Sequence, residues 1–219
     1  MPVHVWTPTA GSGPGILLIQ EIFGVGAYIR AVADRLCDAG YVVAAPEVFW
    51  RFAPGWEADH DQAGLEASFA QVGNLDPAVA GADCIAALDA MQELDEVTGT
   101  PSVMGFCLGG TLAWGVAIGA TPAACVSYYG SGVPGMVGEI GHVTCPTLFH
   151  FGNDDPYIAN DGVEAVNDAI DGRPGFMLNV ENAGHAFDNH ESAQFWNESA
   201  AQAAWAKTMA FLHAHQPVG

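Results

Sequence analysis

The sequence predicts an α/β fold, a mainly parallel central sheet with helices on both faces. Short apolar runs bounded by turn residues recur at 15–20, 41–45, 102–105, 123–128 and 146–151. Longer segments with helical spacing fill the gaps at 27–38, 77–96, 108–119 and 161–170. Strands alternating with helices build βαβ units, and their crossover helices cover a parallel sheet from both sides. The composition agrees: 219 residues that are 50% hydrophobic and 10% aromatic can bury a sizeable core.

Taken in order, residues 2–7 alternate in polarity and read as an edge strand. Residues 15–20 (Gly-Ile-Leu-Leu-Ile-Gln) and 41–45 (Tyr-Val-Val-Ala-Ala) are continuously apolar, as strands buried on both faces are, with the helix 27–38 between them. The stretch from Pro46 to Leu75 is irregular, with Arg51-Phe52-Ala53-Pro54-Gly55-Trp56, a polar run and a short helix; it reads as a lid or pocket wall. Beyond the helix 77–96, Ser102-Val103-Met104 leads into a glycine-rich turn and an alanine-rich helix. Strands at 123–128, 146–151 and 176–180, the helix 161–170 and a last helix near 192–213 complete the chain. No repeat, low-complexity tract or linker divides it, so residues 1–219 are expected to form one domain.

Charge narrows the partners. The chain has 25 acidic and 5 basic residues, a formal charge of −20, yet only 14% of it is charged against a usual fraction of about a quarter. The anomaly is therefore a shortage of base. With only Arg30, Arg35, Arg51, Arg173 and Lys207 to neutralise phosphates, neither nucleic acid nor an anionic membrane is an expected partner. No apolar run approaches the roughly 20 residues needed to cross a bilayer, and residues 1–6 lack the basic start and apolar run of a signal peptide. The expected setting is the cytoplasm. Cys37, Cys84, Cys107, Cys125 and Cys145 are odd in number, widely spaced and without a CxxC pair, so neither a disulfide framework nor a zinc site is expected.

One of these cysteines stands apart. Strand, sharp turn and helix follow at once through Gly105-Phe106-Cys107-Leu108-Gly109-Gly110, the arrangement of a nucleophile elbow, which places Cys107 at the exposed tip and at a helix N-terminus. A thiol there is favoured as the attacking thiolate, although a cysteine in such a turn can equally be a small packed residue. Asp155, in Gly152-Asn153-Asp154-Asp155-Pro156-Tyr157-Ile158, lies just past another strand. His185, in Asn182-Ala183-Gly184-His185-Ala186-Phe187, lies past a third. Alone, the first reads as an Asx turn and the second as a loop polar residue. Together, nucleophile, acid and histidine at successive strand C-terminal ends follow the order of an α/β-hydrolase triad.

At these residues the chain resembles the dienelactone hydrolase (carboxymethylenebutenolidase) family. The resemblance also takes in Gln20-Glu21-Ile22-Phe23-Gly24, Arg51, Ala53-Pro54-Gly55, Asp155-Pro156-Tyr157-Ile158 and Gly184-His185-Ala186-Phe187. It implies a hydrolase of a small ester or lactone working through Cys107, His185 and Asp155 by way of a thioester, with no cofactor and no metal. Asp154 is the rival acid, but Asp155 directly precedes the matching Pro-Tyr-Ile. The resemblance further implies that Glu21 contacts the Cys107 thiol at rest, and that the Ile22 and Leu108 N–H groups form the oxyanion hole. Phe23, Trp50, Arg51, Tyr128 and Asn189 are the candidate substrate contacts; Arg51 can equally be a solubilising charge, and Trp50, Phe52, Trp56, Tyr128 and Tyr129 can equally pack on the core.

The chain departs from the family at the two arginines that bind the dienelactone carboxylate. The region His60 to Gln71 contains no arginine or lysine, and the position four after His185 is Asn189. An amide cannot replace a bidentate guanidinium, so a neutral or less anionic substrate is expected. A binding or sensor protein retaining the fold is the alternative. A monomer or small homo-oligomer is expected.

Overall fold

The computed structural model describes residues 1–219. Seven strands form one sheet in the order β1-β3-β2-β4-β5-β6-β7: β1 (Val3–Trp6), β2 (Gly13–Ile19), β3 (Val42–Pro46), β4 (Val97–Phe106), β5 (Cys125–Tyr128), β6 (Thr147–Gly152) and β7 (Phe176–Glu181). Every pairing is parallel except that of β1 with β3, so the alternating first segment is indeed an antiparallel edge strand. The helices are α1 (Ala27–Asp38), α2 (Gln62–Val72), α3 (Pro77–Gln92), α4 (Leu108–Gly119), α5 (Asn160–Ile170) and α6 (Glu198–His215).

The strand order explains the layers. The β2-α1-β3 connection moves one way along the sheet, whereas β3-α3-β4, β4-α4-β5 and β6-α5-β7 move the other way. Right-handed crossovers then place α1 on one face and α3, α4 and α5 on the opposite one. The last helix, α6, joins α1, where Arg35 stacks 3.7 Å over the Trp205 ring. The direction of winding reverses between β2 and β4, and the crevice beyond their C-terminal ends is where such sheets hold ligands. Ile16, Leu17, Leu18 and Ile19 of β2 are fully buried there, and on the α4 face Trp114 meets Phe149 edge to face at 5.1 Å. No helix is long and apolar enough to cross a membrane.

Helix boundaries differ from the sequence reading where caps intervene. Pro77 opens α3 behind the Asp76 carboxylate, which accepts from the Ala78 and Val79 amides, as an N-cap does. The helix stops at Gln92 rather than 96, because the Glu96 carbonyl accepts from Gly13 and already belongs to the sheet. The last helix starts at Glu198, not 192, behind the capping Asn197. Strand β4 begins five residues early, at Val97, with Gly99 at φ 70° and Pro101 disguising its exposed half. A 3₁₀ turn at Pro134–His142 has no counterpart in the reading: Gly135, Gly138 and Gly141 hide its spacing.

The elbow leaves no room for side chains at its glycines. A Cβ on Gly109 would lie 2.2 Å from the Ile19 carbonyl oxygen, which cannot retreat without breaking the sheet. Gly115, in the same helix, has nothing within 4 Å. Gly109→Ala is therefore expected to destabilise the chain by about 3 kcal/mol or more, and Gly115→Ala to stabilise it by about 0.5–1 kcal/mol. Urea denaturation of the two variants distinguishes steric exclusion at the elbow from a general glycine effect.

Candidate active site

Strand β4 ends at Phe106 and α4 begins at Leu108, leaving Cys107 alone between them at φ 54° and ψ −114°. Such a backbone costs on the order of 1–3 kcal/mol and persists only when its surroundings enforce it. Here the Cys107 amide donates to the Tyr128 carbonyl at 3.0 Å, and the flanking glycines let the turn touch its neighbours. Added Cβ atoms on Gly105 and Gly110 would fall 2.0 Å from the Gly109 oxygen and 2.4 Å from the Tyr128 oxygen. The other two non-glycine residues at positive φ are Tyr129 and Ala186. Both adjoin the same place: the Tyr129 ring lies 5.2 Å from that of His185, and Ala186 follows it in sequence.

His185 bridges Cys107 and Asp155. Its Nε2 lies 3.1 Å from Cys107 Sγ and its Nδ1 lies 2.7 Å from Asp155 Oδ2. The Asp155 side chain is fully buried and that of His185 is only 6% exposed. Burial opposes protonation of the imidazole, but the Cys107 charge and the Asp155 hydrogen bond outweigh it and hold His185 well above its ordinary value. Asp155 also makes the Asx turn suggested by its sequence, accepting from the Tyr157 amide at 2.8 Å, while its other oxygen meets His185. Asp154 is exposed, its amide donating to the Ala183 carbonyl.

Glu21 follows β2 and is buried beside them. It does not hydrogen-bond to the thiol, as the family resemblance implied; its Oε2 accepts from Asn189 Nδ2 at 2.6 Å and its Oε1 has no partner. His185 occupies the thiol instead. Burial pushes the Glu21 carboxyl up to about 7, against the opposing pull of the His185 charge and the Asn189 amide. A second buried acid, Asp188, accepts from the Tyr28 hydroxyl at 2.8 Å and is pushed up by burial to about 6. The loop carrying Glu21 is pinned from outside: Trp56 Nε1 donates to the Ile22 carbonyl at 3.2 Å, and the Ala58 amide donates to that of Phe23 at 3.2 Å.

Cys107 opens into a cavity of about 240 Å³, ten of whose fifteen lining residues are hydrophobic. Leu65, Phe69 and Val72 of α2 form one wall. Leu65 packs with Ile22 and Phe23 in a small apolar cluster separate from the main core. Tyr157, beside Phe69, and Phe195, beside the Leu65 cluster, complete the lining, which no lysine or arginine reaches.

The dienelactone hydrolase family model matches residues 1–216. The chain belongs to the dienelactone hydrolase family. With that membership comes the class of hydrolases acting on carboxylic esters and lactones. A carboxymethylenebutenolidase from a Pseudomonas species is 32% identical over 219 residues, covering 99% of this chain and 91% of the relative. Another, from Cupriavidus pinatubonensis, is 30% identical over 95% of this chain and 89% of its own length. A solved Klebsiella pneumoniae chain assigned to the dienelactone hydrolases superposes with a TM-score of 0.79 at 25% identity, covering 96% of this chain and 92% of that one.

Against the dienelactone hydrolase resemblance, the predicted site residues divide. Glu21, Ile22, Phe23, Cys107, Leu108 and His185 line the cavity, with Asp155 behind His185. Asn189 lies beneath Glu21 rather than on the cavity surface. Three substrate candidates fall elsewhere. Arg51 pairs with Asp83 at 2.8 Å and Trp50 Nε1 donates to the same carboxylate at 2.9 Å, because the chain turns both toward α3. Tyr128 points under α6, its hydroxyl 2.6 Å from Thr208 and its ring stacked on His150, since the last residue of β5 faces that side of the sheet. Phe52 packs on Phe49 and Trp56 on the Ile22 carbonyl. The sequence reading missed Leu65, Phe69, His60, Asp188 and the orientation of Tyr129. A leucine and phenylalanine four apart in a short helix were a legible signal of the wall, whereas nothing local marks a lone histidine in a polar run.

The ordinary carboxyl value of 4.5 against about 7 for buried Glu21 sets a stability trend. Between these values folding takes up a proton, so stability falls as pH rises, and above about 7 the charged carboxyl carries its full burial cost. Glu21→Gln is therefore expected to stabilise the chain more at pH 8 than at pH 5, by on the order of 2 kcal/mol. Urea unfolding at both pH values checks this; an equal effect at both would mean that burial does not disfavour the charge.

Proposed function

We propose that this chain hydrolyses a small, uncharged ester or lactone through a Cys107-His185-Asp155 triad and a thioester acyl-enzyme. The observation that carries the reading is the continuous contact from Cys107 Sγ to His185 Nε2 at 3.1 Å and from His185 Nδ1 to Asp155 Oδ2 at 2.7 Å, on a strained elbow at a helix N-terminus. A base within hydrogen-bond reach of the nucleophile, oriented by a third group, is the arrangement nucleophilic catalysis needs.

In this reading His185 holds the proton of the Cys107–His185 pair as the sulfur attacks the substrate carbonyl carbon. The tetrahedral oxyanion accepts from the N–H groups of Ile22 and Leu108; Leu108 is the first residue of α4, where an amide has no intrahelical partner. The C–O bond to the leaving alkoxide then breaks, and His185 passes its proton to that oxygen. Water, deprotonated by His185, attacks the thioester, the C–S bond breaks, and the proton stays with the restored Cys107–His185 pair. Asp155 holds the imidazole in the tautomer with Nδ1–H toward its carboxylate and stabilises the imidazolium between the steps. The relatives' name speaks for a lactone, while the cavity speaks for which one: it is small, largely apolar and free of lysine and arginine. An anionic carboxylate placed there would lose its hydration without gaining a guanidinium partner. The reading keeps the protein a cytoplasmic enzyme of small molecules.

Cys107→Ala is expected to abolish turnover, and Asp155→Asn to lower kcat by roughly 10³-fold or more. An activated aryl ester should give a burst and a mass increase equal to the acyl group in the native chain, absent in Cys107→Ala. Retained turnover in Cys107→Ala would refute the thioester route. For substrate class, kcat/KM for a neutral aryl ester should exceed that for cis-dienelactone; the reverse order would overturn the assignment of uncharged substrates.

A further inference from the structure

His60 takes no part in the chemistry just described, yet it joins three segments of the site. Its ring stacks on Phe23 at 4.2 Å, its Nδ1 accepts from Asn189 Nδ2 at 2.8 Å, and its carbonyl accepts from Ser192 Oγ at 3.2 Å. It stands two residues before α2, next to the capping Asp61. The loop after β2, the loop after His185 and the start of the cavity wall thus meet at one imidazole.

The Asn189 amide between them has a fixed orientation. Its Oδ1 accepts from the Glu191 amide at 3.1 Å, so Nδ2 faces inward. The two Nδ2 hydrogens are then divided between Glu21 Oε2 at 2.6 Å and His60 Nδ1 at 2.8 Å. An N–H can be given only to a lone pair, so this sharing requires His60 Nδ1 to be unprotonated. Without that acceptor, one N–H of a buried amide is orphaned, and the contact from the Glu191 amide alone is left to hold Nδ2 toward Glu21. Glu21 has little else to hold it: the Asn189 contact at 2.6 Å is its short one, the Tyr129 hydroxyl also faces the carboxyl, and Oε1 is buried without a close partner.

We propose that His60 is a positioning residue of the site: by accepting from Asn189 at Nδ1, it fixes the amide whose other N–H holds the Glu21 carboxyl against the cavity. The groups that face Glu21 are His185, Asp188, Tyr129 and Asn189. Those that face His60 are Glu191, Asp59, His190 and, edge on, Tyr28. Burial holds the His60 imidazole below its ordinary value despite Glu191 and Asp59, which keeps Nδ1 an acceptor around neutral pH. Only the effect of His60 on turnover rests on the triad reading; its effect on Glu21 does not.

The test compares His60→Leu, which fills the space without an acceptor, with His60→Asn, whose amide oxygen can replace Nδ1. The Glu21 carboxyl is followed by ¹³C NMR on the full chain labelled at glutamate, with Glu21→Gln assigning the resonance. Losing a hydrogen bond to the charged form raises a carboxyl's midpoint, so His60→Leu should move Glu21 upward by at least about half a pH unit. His60→Asn should restore the native midpoint. The acid limb of kcat/KM should move with it, whereas loosened packing of α2 would raise KM and leave the limb in place. A folded His60→Leu with an unmoved Glu21 midpoint overturns the proposal. Should that variant fail to fold, His60→Gln, whose oxygen sits nearer the Nε2 position, is read by the same criterion. Turnover retained in Cys107→Ala would refute the thioester route alone, since the NMR readout needs no catalysis.

Discussion

The elbow at Cys107 governs this structure through distances too short for any side chain. Backbone atoms from β2, β5 and α4 come so close that methyl groups on Gly105, Gly109 or Gly110 would overlap carbonyl oxygens. That proximity aligns the end of β4 with the ends of β2 and β5, and it holds Cys107 at positive φ where the sulfur meets His185. Glu21 and Cys107 face each other across the crevice because the sheet reverses its winding between their two strands. The strain is local, and the surrounding parallel sheet, buried on both faces, is what sustains it.

Much of this was legible in the sequence because the relevant physics is local. Continuous apolar runs marked β2, β3, β5 and β6, and the glycine pattern marked the turn at Cys107. What escaped notice was set by long-range geometry. The exposed first half of β4 pairs Val97 with Gly13, a contact that no periodicity within 97–101 reveals. Whether Tyr128 or Tyr129 faces the site depends on the residue at which β5 ends and on the φ of 37° that turns Tyr129 toward His185. Arg51, an attractive anion ligand in a chain with five basic residues, is captured by Asp83 from a helix 32 positions away. Glu21 lines the cavity beside Cys107, but the amide that bonds it lies 168 residues later, beyond the reach of any local pattern.

The scarcity of base acquires a chemical meaning at the cavity. Two carboxyls, Glu21 and Asp188, lie buried close to one another, and the one guanidinium that acts on them, that of Arg35 on Asp188, is outweighed by burial. Desolvation then becomes the largest influence on both, and each is pushed toward neutrality near physiological pH. An acidic protein thereby keeps an interior whose charge is smaller than its composition suggests.

The wall formed by α2 has a consequence of another kind. Leu65 packs on Ile22 and Phe23 in a cluster detached from the 53-residue core, and Phe69 stands half in the cavity and half in solvent. Selectivity thus rests on a small cluster that meets the scaffold through a few shared residues, Val72, Cys107, Leu108 and Phe195. Replacements along this helix can reshape what enters while the sheet beneath keeps its stability, so substrate range is the trait this architecture leaves most open to evolutionary drift.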